Sequence, residues 1–312
     1  MRSDDVYWLA LHSVPNIGPA SYRALLGTFG SPRAALEAVS DDLLHVPHIS
    51  KQMATEIAAL GDRLDYFITL LRGLEEKGIS LLRESDEGYP QPLVDILRHP
   101  PPVLWTIGRW RESDRRSVAI VGTRKPTREA LEWAHDLAAE LAGRGCTVVS
   151  GNAEGIDAAA HRGAIDAGGR TIMVVPLGIN RFRPARALRG LGYDRDQVLV
   201  ISPFYPDQQW MTAAAMARNR IIAALSQAVV VGELGSTSGS VSTARAAAGF
   251  DIPVFVFRRP GQPNREKRNA VLYRLGAQGL DSTHAAETVL EKMQPGRRVE
   301  RAKDVQLTLF EE

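Results

Sequence analysis

The chain has 312 residues, 44% of them hydrophobic and 24% charged, which is the composition of an ordinary globular protein of roughly two domains. Its formal net charge is +2, too small to indicate a nucleic-acid partner, so any such inference depends on local clusters of charge. There is no apolar run of about 18 residues and no hydrophobic core after the N-terminal Met-Arg-Ser-Asp-Asp. The sequence therefore predicts neither a membrane span nor export.

Residues 1–75 are predicted to form a small helical domain, because apolar residues recur there at three- and four-residue spacings. Two similar turns, Val14–Ala20 and Val46–Lys51, resemble a tandem pair of helix-hairpin-helix units. The backbone amides of such turns can hold a nucleic-acid phosphate. Ser50 replaces Gly18 in the second copy, which hinders close backbone approach. The alternative is a helical bundle whose turns only connect helices.

Residues 76–116 are predicted to be an extended connector. Prolines bracket short strand-like pieces at 79–82 and 100–108, which would add a strand or a lid to the next domain.

Residues 117–293 are predicted to form an α/β domain with an extended Rossmann-like, doubly wound and mainly parallel sheet, since apolar strands alternate with helical stretches. The strands are expected near 117–121, 146–150, 171–175, 197–201, 228–232 and 253–257. The helices are expected near 127–143, 155–168, 211–225, 238–249, 270–276 and 285–293. The lone Cys146 excludes an internal disulfide and indicates a buried strand residue, which fits a cytoplasmic protein. Residues 294–312 are predicted to be a flexible, charged tail.

Two of these strands end in glycine-containing loops that open onto a helix, an arrangement that can bind phosphate. Gly122, Thr123, Arg124 and Lys125 follow the first strand, and Gly151 and Asn152 follow the second. Backbone amides and the helix dipole favour an anion there, and the two cations add mobile positive charge. The alternative is that both glycines only permit tight turns.

Further basic and polar residues are expected at the same sheet edge. Arg suits phosphate because its planar fork donates paired hydrogen bonds, and Phe182 and Tyr205 could stack on unpaired bases. A solvated helix face and helix capping by Ser238 are the alternatives. The additional candidate residues are Arg181, Arg183, Arg218, Asn219, Arg220, Ser238, Gly239 and Ser240.

The sequence offers little for catalysis. It contains no Gly-x-Ser-x-Gly elbow, no cluster of metal ligands and no Gly-x-Gly-x-x-Gly motif, so we expect no nucleophilic triad, no metal, no nicotinamide and no other cofactor. Asp157 and His161 share a helix face, where a structural hydrogen bond is the alternative to an acid–base pair. We therefore expect a protein that is not an enzyme.

Four motifs, taken together, resemble the DprA/Smf family of bacterial DNA-processing proteins, over roughly residues 5–293. They are Ala119–Pro126, Val149–Ala164, Arg218–Ala223 and Ser238–Arg245. The resemblance implies a Rossmann fold behind a small helical domain, single-stranded DNA binding in a basic pocket, a homodimer and loading of a RecA-type recombinase. It implies that the pocket is lined by Gly122, Thr123 and Arg124, with Gly151, Arg218, Asn219, Arg220, Ser238 and Gly239 around it.

The chain departs from this family at two motif positions. Glu154 replaces the usual Arg, and Arg183-Pro184 replaces a Tyr-Pro that has an Asn nearby. A carboxylate facing a phosphate would repel it, so Glu154 is expected to point away, to pair with an Arg, or to indicate another ligand. The C-terminal winged helix of many members is also expected to be missing.

The tail contains a peptide similar to the one with which bacterial replication and repair proteins dock onto the sliding clamp. Leu307, Leu309 and Phe310 would fill apolar pockets, while Gln306 would supply a directional hydrogen bond. A sliding clamp is thus a further expected partner.

These features support single-stranded DNA binding that protects DNA and assists a recombinase in recombination, repair or transformation. One alternative is a Rossmann-fold nucleotide-binding sensor or nucleotide-processing enzyme, in which Glu154 or Glu233 contacts a ribose or activates water. Another is a scaffold that acts only through its tail and helical domain.

Overall fold

The computed structural model describes residues 2–190, 194, 196–235, 239–258 and 263–293, without the side chains of 263–266. Its helices are α1 Asp5–His12, α2 Pro19–Phe29, α3 Pro32–Glu37, α4 Ser40–Leu44, α5 Lys51–Ala58, α6 Leu64–Glu76, α7 Gln91–Ile96, α8 Arg128–Gly143, α9 Ile156–Asp166, α10 Thr212–Ala224, α11 Gly239–Gly249, α12 Pro263–Tyr273 and α13 Ala285–Lys292. Its strands are β1 Ile79–Arg83, β2 Val103–Ile107, β3 Ser117–Val121, β4 Thr147–Ser150, β5 Thr171–Val174, β6 Val198–Ser202, β7 Ala228–Val231, β8 Val254–Phe257 and β9 Gln278–Leu280.

The strands form one sheet in the order β1-β2-β6-β5-β4-β3-β7-β8-β9. Strands β3 to β9 are parallel to one another, whereas β1 pairs antiparallel with β2, and β2 pairs antiparallel with β6. The α/β class and the mainly parallel, doubly wound sheet are confirmed. The strand order reverses between β3 and β7, and in such sheets ligands bind at the carboxyl ends of the strands beside this reversal.

Two layers of helices cover the sheet. Helices α8, α9 and α13 bury their apolar residues on one face, and α7, α10, α11 and α12 bury theirs on the other. The central strands are fully buried because helices cover both faces, which explains their continuous runs of Val and Ile.

The N-terminal helices α1 to α6 share one apolar core with part of the sheet. Trp105 in β2 is fully buried in this core, and its indole N–H donates to Nδ1 of His12 over 3.2 Å. Burial lowers the pKa of His12 to about 4, against the opposing effect of a hydrogen bond to the backbone of Pro203. His12 is therefore neutral at pH 7.

The two predicted N-terminal hairpins have matching geometry. Asn16 and His48 occupy equivalent positions with φ of 62° and 65°, and Ser21 Oγ donates to the His48 carbonyl over 3.1 Å. The hydrogen bond joins the two turns into one unit.

The predicted strands 117–121 to 253–257 are all present, with ends that differ by one residue or less. Cys146 is buried but directly precedes β4. The helix expected at 270–276 was wrong in its bounds, because α12 already begins at Pro263 and ends at Tyr273. Strand β9 and helix α7 were not predicted. The division into domains stays a prediction.

Candidate nucleic-acid interface

The loops that follow β3, β4 and β7 meet at the carboxyl edge of the sheet. A Cβ at Gly122 would lie 2.6 Å from Ile156 Cγ1 and 3.0 Å from the carbonyl oxygen of Glu233. The Thr123 amide donates to that same oxygen over 2.8 Å. Glycine is therefore required at position 122 so that α9 and the loop after β7 can approach β3.

Arg124 and Lys125 lie exposed at the tip of the loop after β3. The Lys125 amide donates to Thr123 Oγ1 over 3.2 Å, which holds the backbone of the loop. Neither side chain forms an ion pair within the described part of the chain, so both charges face solvent at the carboxyl edge of the sheet.

Arg218 lies beneath this edge and not on it. Its side chain is buried, and Nη1 donates to the carbonyl oxygens of Gly151 over 2.6 Å and Val174 over 2.7 Å. Burial lowers the pKa of Arg218 to about 10, partly offset by Asp157, while the nearby charge of Arg124 lowers it further. The expectation of an open phosphate contact at Arg218 is corrected, because its guanidinium supports the backbone under the cleft.

The carboxylate of Asp157 occupies the position expected for a phosphate at the start of α9. It is buried, and backbone amides of Gly122, Gly151 and Ala153 interact with it; the Ala153 amide lies 3.4 Å from Oδ2. Burial raises the pKa of Asp157, although Arg218 and these amides counteract the rise. The amides of Gly122 and Gly151 therefore hold a carboxylate of the protein itself, which corrects their predicted role as open phosphate donors.

His161 takes the structural alternative. Its Nδ1 lies 2.6 Å from Thr171 Oγ1, whose own hydroxyl donates to the Val148 carbonyl over 2.7 Å. Since the threonine hydrogen is already used, Nδ1 carries the imidazole hydrogen and donates it. Burial, reinforced by the charge of Arg218, lowers the pKa of His161 to about 3. The ring is neutral and forms no hydrogen bond with Asp157 in this arrangement.

Asn219 and Arg220 do not join the exposed cations. Asn219 is buried, and its Nδ2 donates to the Gly239 carbonyl over 3.1 Å, which fixes the start of α11. Arg220 is exposed on another side of α10, with its guanidinium 5.1 Å from the ring centroid of Phe250 at the amino end of the sheet. The expected convergence of Arg220 with Arg124 is wrong. Arg220 lies two residues after Arg218 on α10, and residues two apart on a helix face different directions.

Residues 181–189, named here the basic segment, follow β5 at the same edge. Asn152, with φ of 58°, donates from Nδ2 to the Arg183 carbonyl and accepts from the Ala185 amide, each over 2.9 Å. Glu154 Oε1 accepts from the Arg186 amide over 2.6 Å. The predicted site residue Asn152 thus positions the basic segment. Glu154 accepts a hydrogen bond from the backbone of this segment and does not pair with an arginine side chain among the described residues.

The basic segment presents exposed guanidinium groups. Arg181 Nε donates to the Asp207 carbonyl over 2.5 Å, and Arg183 Nη1 donates to the Phe182 carbonyl over 2.6 Å. Phe182 and Tyr205 are partly buried against the N-terminal core, which limits their faces as stacking platforms for bases. The exposed cations of the segment are Arg181, Arg183, Arg186 and Arg189.

The loop after β7 contributes packing and capping. Glu233 Oε2 accepts from the amide and the hydroxyl of Thr127 over 3.0 and 2.9 Å, so it caps α8. Ser240 is buried, whereas a Cβ at Gly239 would meet open space. Ser238 and the tail residues Gln306, Leu307, Leu309 and Phe310 lie outside the described residues.

The described residues contain neither a metal-ligand cluster nor a membrane-spanning helix. Within them, no three His, Cys, Asp or Glu side chains are grouped to hold a metal ion. None of their helices is both long and apolar enough to span a bilayer.

Sequence reasoning missed Asp157 as the anion that holds the loops. The signal was present, because an acidic residue in the first turn of a helix after a glycine loop interacts with the same amides that a phosphate would.

The fold and site define a Rossmann-like α/β protein with a basic carboxyl edge. Residues 80–294 match the model of the DNA recombination-mediator protein A family, and residues 2–45 match the DprA-like N-terminal HHH domain. The chain belongs to the DNA recombination-mediator protein A family.

Similar proteins include Protein Smf of Synechocystis sp., 33% identical over 275 residues, covering 87% of this chain and 68% of that protein. DNA processing protein DprA of Bacillus subtilis is 32% identical, covering 78% of this chain and 82% of the relative. The putative DNA processing protein DprA of Mycobacterium tuberculosis is also 32% identical, and the chain spans 57% of its length.

Two solved structures are similar in fold. DprA of Streptococcus pneumoniae matches with a TM-score of 0.70 and 23% identity, covering 93% of this chain and 98% of that one. DNA processing protein A of Helicobacter pylori, studied for its single-stranded DNA binding mode, matches with a TM-score of 0.57 and 29% identity, covering 69% and 97%.

Proposed function

We propose that the protein binds single-stranded DNA along the carboxyl edge of its sheet, without catalysing a reaction. The observation that carries this proposal is a row of exposed cations in the loops after β3 and β5. They are Arg124, Lys125, Arg181, Arg183, Arg186 and Arg189. Such charges neutralise phosphates irrespective of sequence. The family, and the single-stranded DNA binding studied for the Helicobacter pylori protein, support the choice of ligand.

The nucleotide-sensor or enzyme alternative receives less support. Both carboxylates that it needs are engaged with backbone amides, Glu154 with Arg186 and Glu233 with Thr127. A carboxylate held in this way is less available to contact a ribose or to activate water.

Fluorescence anisotropy with a labelled oligothymidylate tests the proposal. Arg124→Ala combined with Lys125→Ala, and separately Arg183→Ala combined with Arg186→Ala, should each weaken binding at low salt. The matched control is Arg144→Ala, because Arg144 follows α8 at the opposite edge and pairs with Glu140 over 2.7 Å.

The salt dependence gives a second measurement. Each phosphate of a single strand that the protein neutralises contributes about −0.7 to the slope of log K against log salt concentration. Six such contacts would therefore give a slope near −4. Carboxyl-edge variants that bind as tightly as the Arg144 variant, with a flat salt dependence, would refute the proposal.

We further propose that the bound strand is protected and passed to a RecA-type recombinase, that the protein acts as a homodimer in the cytoplasm, and that the tail docks onto a sliding clamp. Nuclease protection and recombinase filament assembly on the oligonucleotide test the first proposal. Light scattering of the purified chain tests the dimer. Deleting residues 304–312 should abolish clamp pull-down and leave DNA affinity unchanged.

A further inference from the structure

A pocket of about 290 Å³ lies beside the proposed DNA cleft, on the α10 and α11 face of the sheet. Leu234 and Gly235, which follow β7, line it together with residues of α10, α11 and α12. Its lining residues are Met216, Leu234, Gly235, Val241, Ser242, Arg245, Arg268 and Val271.

The lining combines an apolar interior with two cations. Met216, Leu234, Val241 and Val271 supply apolar surface, and Met216 is 43% exposed, so its flexible thioether can adapt to a flat group. Arg245 and Arg268 are exposed. Neither forms an ion pair with the residues that the structure describes, and no lining residue is acidic. The pocket therefore complements a flat apolar group attached to an anion.

The pocket is continuous with the loop that carries Arg124. A Cβ at Gly235 would lie 2.6 Å from Thr123 Oγ1, so Gly235 contacts the residue that directly precedes Arg124. A strand with one phosphate on Arg124 would therefore bring a neighbouring nucleotide to the mouth of the pocket.

We propose that this pocket receives one unstacked nucleobase of the bound strand, with the adjoining phosphate on Arg245 and Arg268. This inference depends on the proposed single-stranded DNA binding and adds a base-holding site to it. Ser242 is the only neutral hydrogen-bonding side chain in the lining, so the site has little means of selecting one base over another.

The test compares an oligothymidylate with a fully abasic strand of equal length, by anisotropy. Ser242→Trp fills the pocket, and Met216→Glu places a carboxylate at its exposed wall. Each should weaken oligothymidylate binding roughly 5- to 150-fold, the range for losing one stacked base, and should affect the abasic strand much less. Thr69→Trp on the exposed face of α6 is the matched control, and thermal melts verify that each variant folds.

Equal loss for both strands, or no loss in either pocket variant, would overturn the base-holding site even where Arg124→Ala still weakens binding. If the wild-type protein binds neither strand, the proposed function fails and the inference fails with it. A thermal-shift measurement with thymidine monophosphate distinguishes a base of the bound strand from a free nucleotide. Stabilisation by the free nucleotide, abolished by Ser242→Trp and without oligonucleotide binding, would assign the pocket to a small nucleotide and refute the strand-bound base.

Discussion

Replacing Arg218 with alanine should lower the free energy of unfolding, because the side chain is buried and supports the backbone under the cleft. We do not expect the substitution to remove a direct phosphate contact. The substitution removes two hydrogen bonds, to Gly151 and Val174, and leaves the buried carboxylate of Asp157 without its cation. Leaving a buried hydrogen-bond acceptor unsatisfied costs about 1–3 kcal/mol, so the two carbonyl oxygens together account for roughly 2–6 kcal/mol. Because each kcal/mol shifts Tm by about 2–4 °C in a chain of this order of size, Tm should fall by on the order of 10 °C.

Urea unfolding followed by circular dichroism measures this loss. Asp157→Asn introduced together with Arg218→Ala should recover part of it, because the neutral amide no longer requires a cation, and the double-mutant cycle gives the coupling. Exposed Arg220→Ala on the same helix is the control. An Arg218→Ala variant with wild-type stability and abolished oligonucleotide binding would refute the reasoning, since it would make Arg218 a surface phosphate ligand.

Three other substitutions or conditions have expected outcomes. The pKa values of His12 and His161 are depressed, to about 4 and about 3, so the unfolded chain binds more protons below pH 6.5 and stability falls with acidification. The free energy of unfolding from urea titrations should fall between pH 7 and 5 by roughly 1 kcal/mol per pH unit for each ring, and by less after His161→Gln. Gly163→Ala should cost about 1–3 kcal/mol by thermal melt, because its Cβ collides with a backbone carbonyl of α8, whereas Gly27→Ala, where the Cβ meets open space, should stabilise α2 slightly. Asn152→Ala should accelerate tryptic cleavage of the basic segment, because it removes two of the hydrogen bonds that hold the segment.

Each of these outcomes has a contrary result. An unchanged midpoint down to pH 5 would show that the histidines are not buried in neutral form. Equal melts for the two glycine variants would contradict the close approach of α8 and α9. Unaltered proteolysis would mean that other contacts hold the basic segment.

Apolar patterning predicted the sheet well, because β3 and β7 are buried on both faces and leave continuous runs of Val and Ile in the sequence. It missed β9, because Gln278 and Gly279 are not apolar. It also misplaced the start of α12, because the first half of that helix is polar and charged and shows no apolar periodicity.

The candidate site was predicted in part. The loop after β3 was found because glycine and adjacent cations indicate an anion site. The role of Arg218 was misjudged, although Ile221, Ile222 and Leu225 lie three, four and seven residues further on and are buried. That spacing places Arg218 on the apolar face of α10. The hydrogen bonds of Arg218 to the carbonyls of Gly151 and Val174 depend on long-range packing that no local pattern contains.

Asp157 also bears on how fast a strand can bind. Since the carboxylate fixes the loops after β3 and β4 in the free protein, the arriving strand meets a surface that is already ordered. Association should then proceed without a slow conformational step, at a rate that ionic strength controls and solvent viscosity limits.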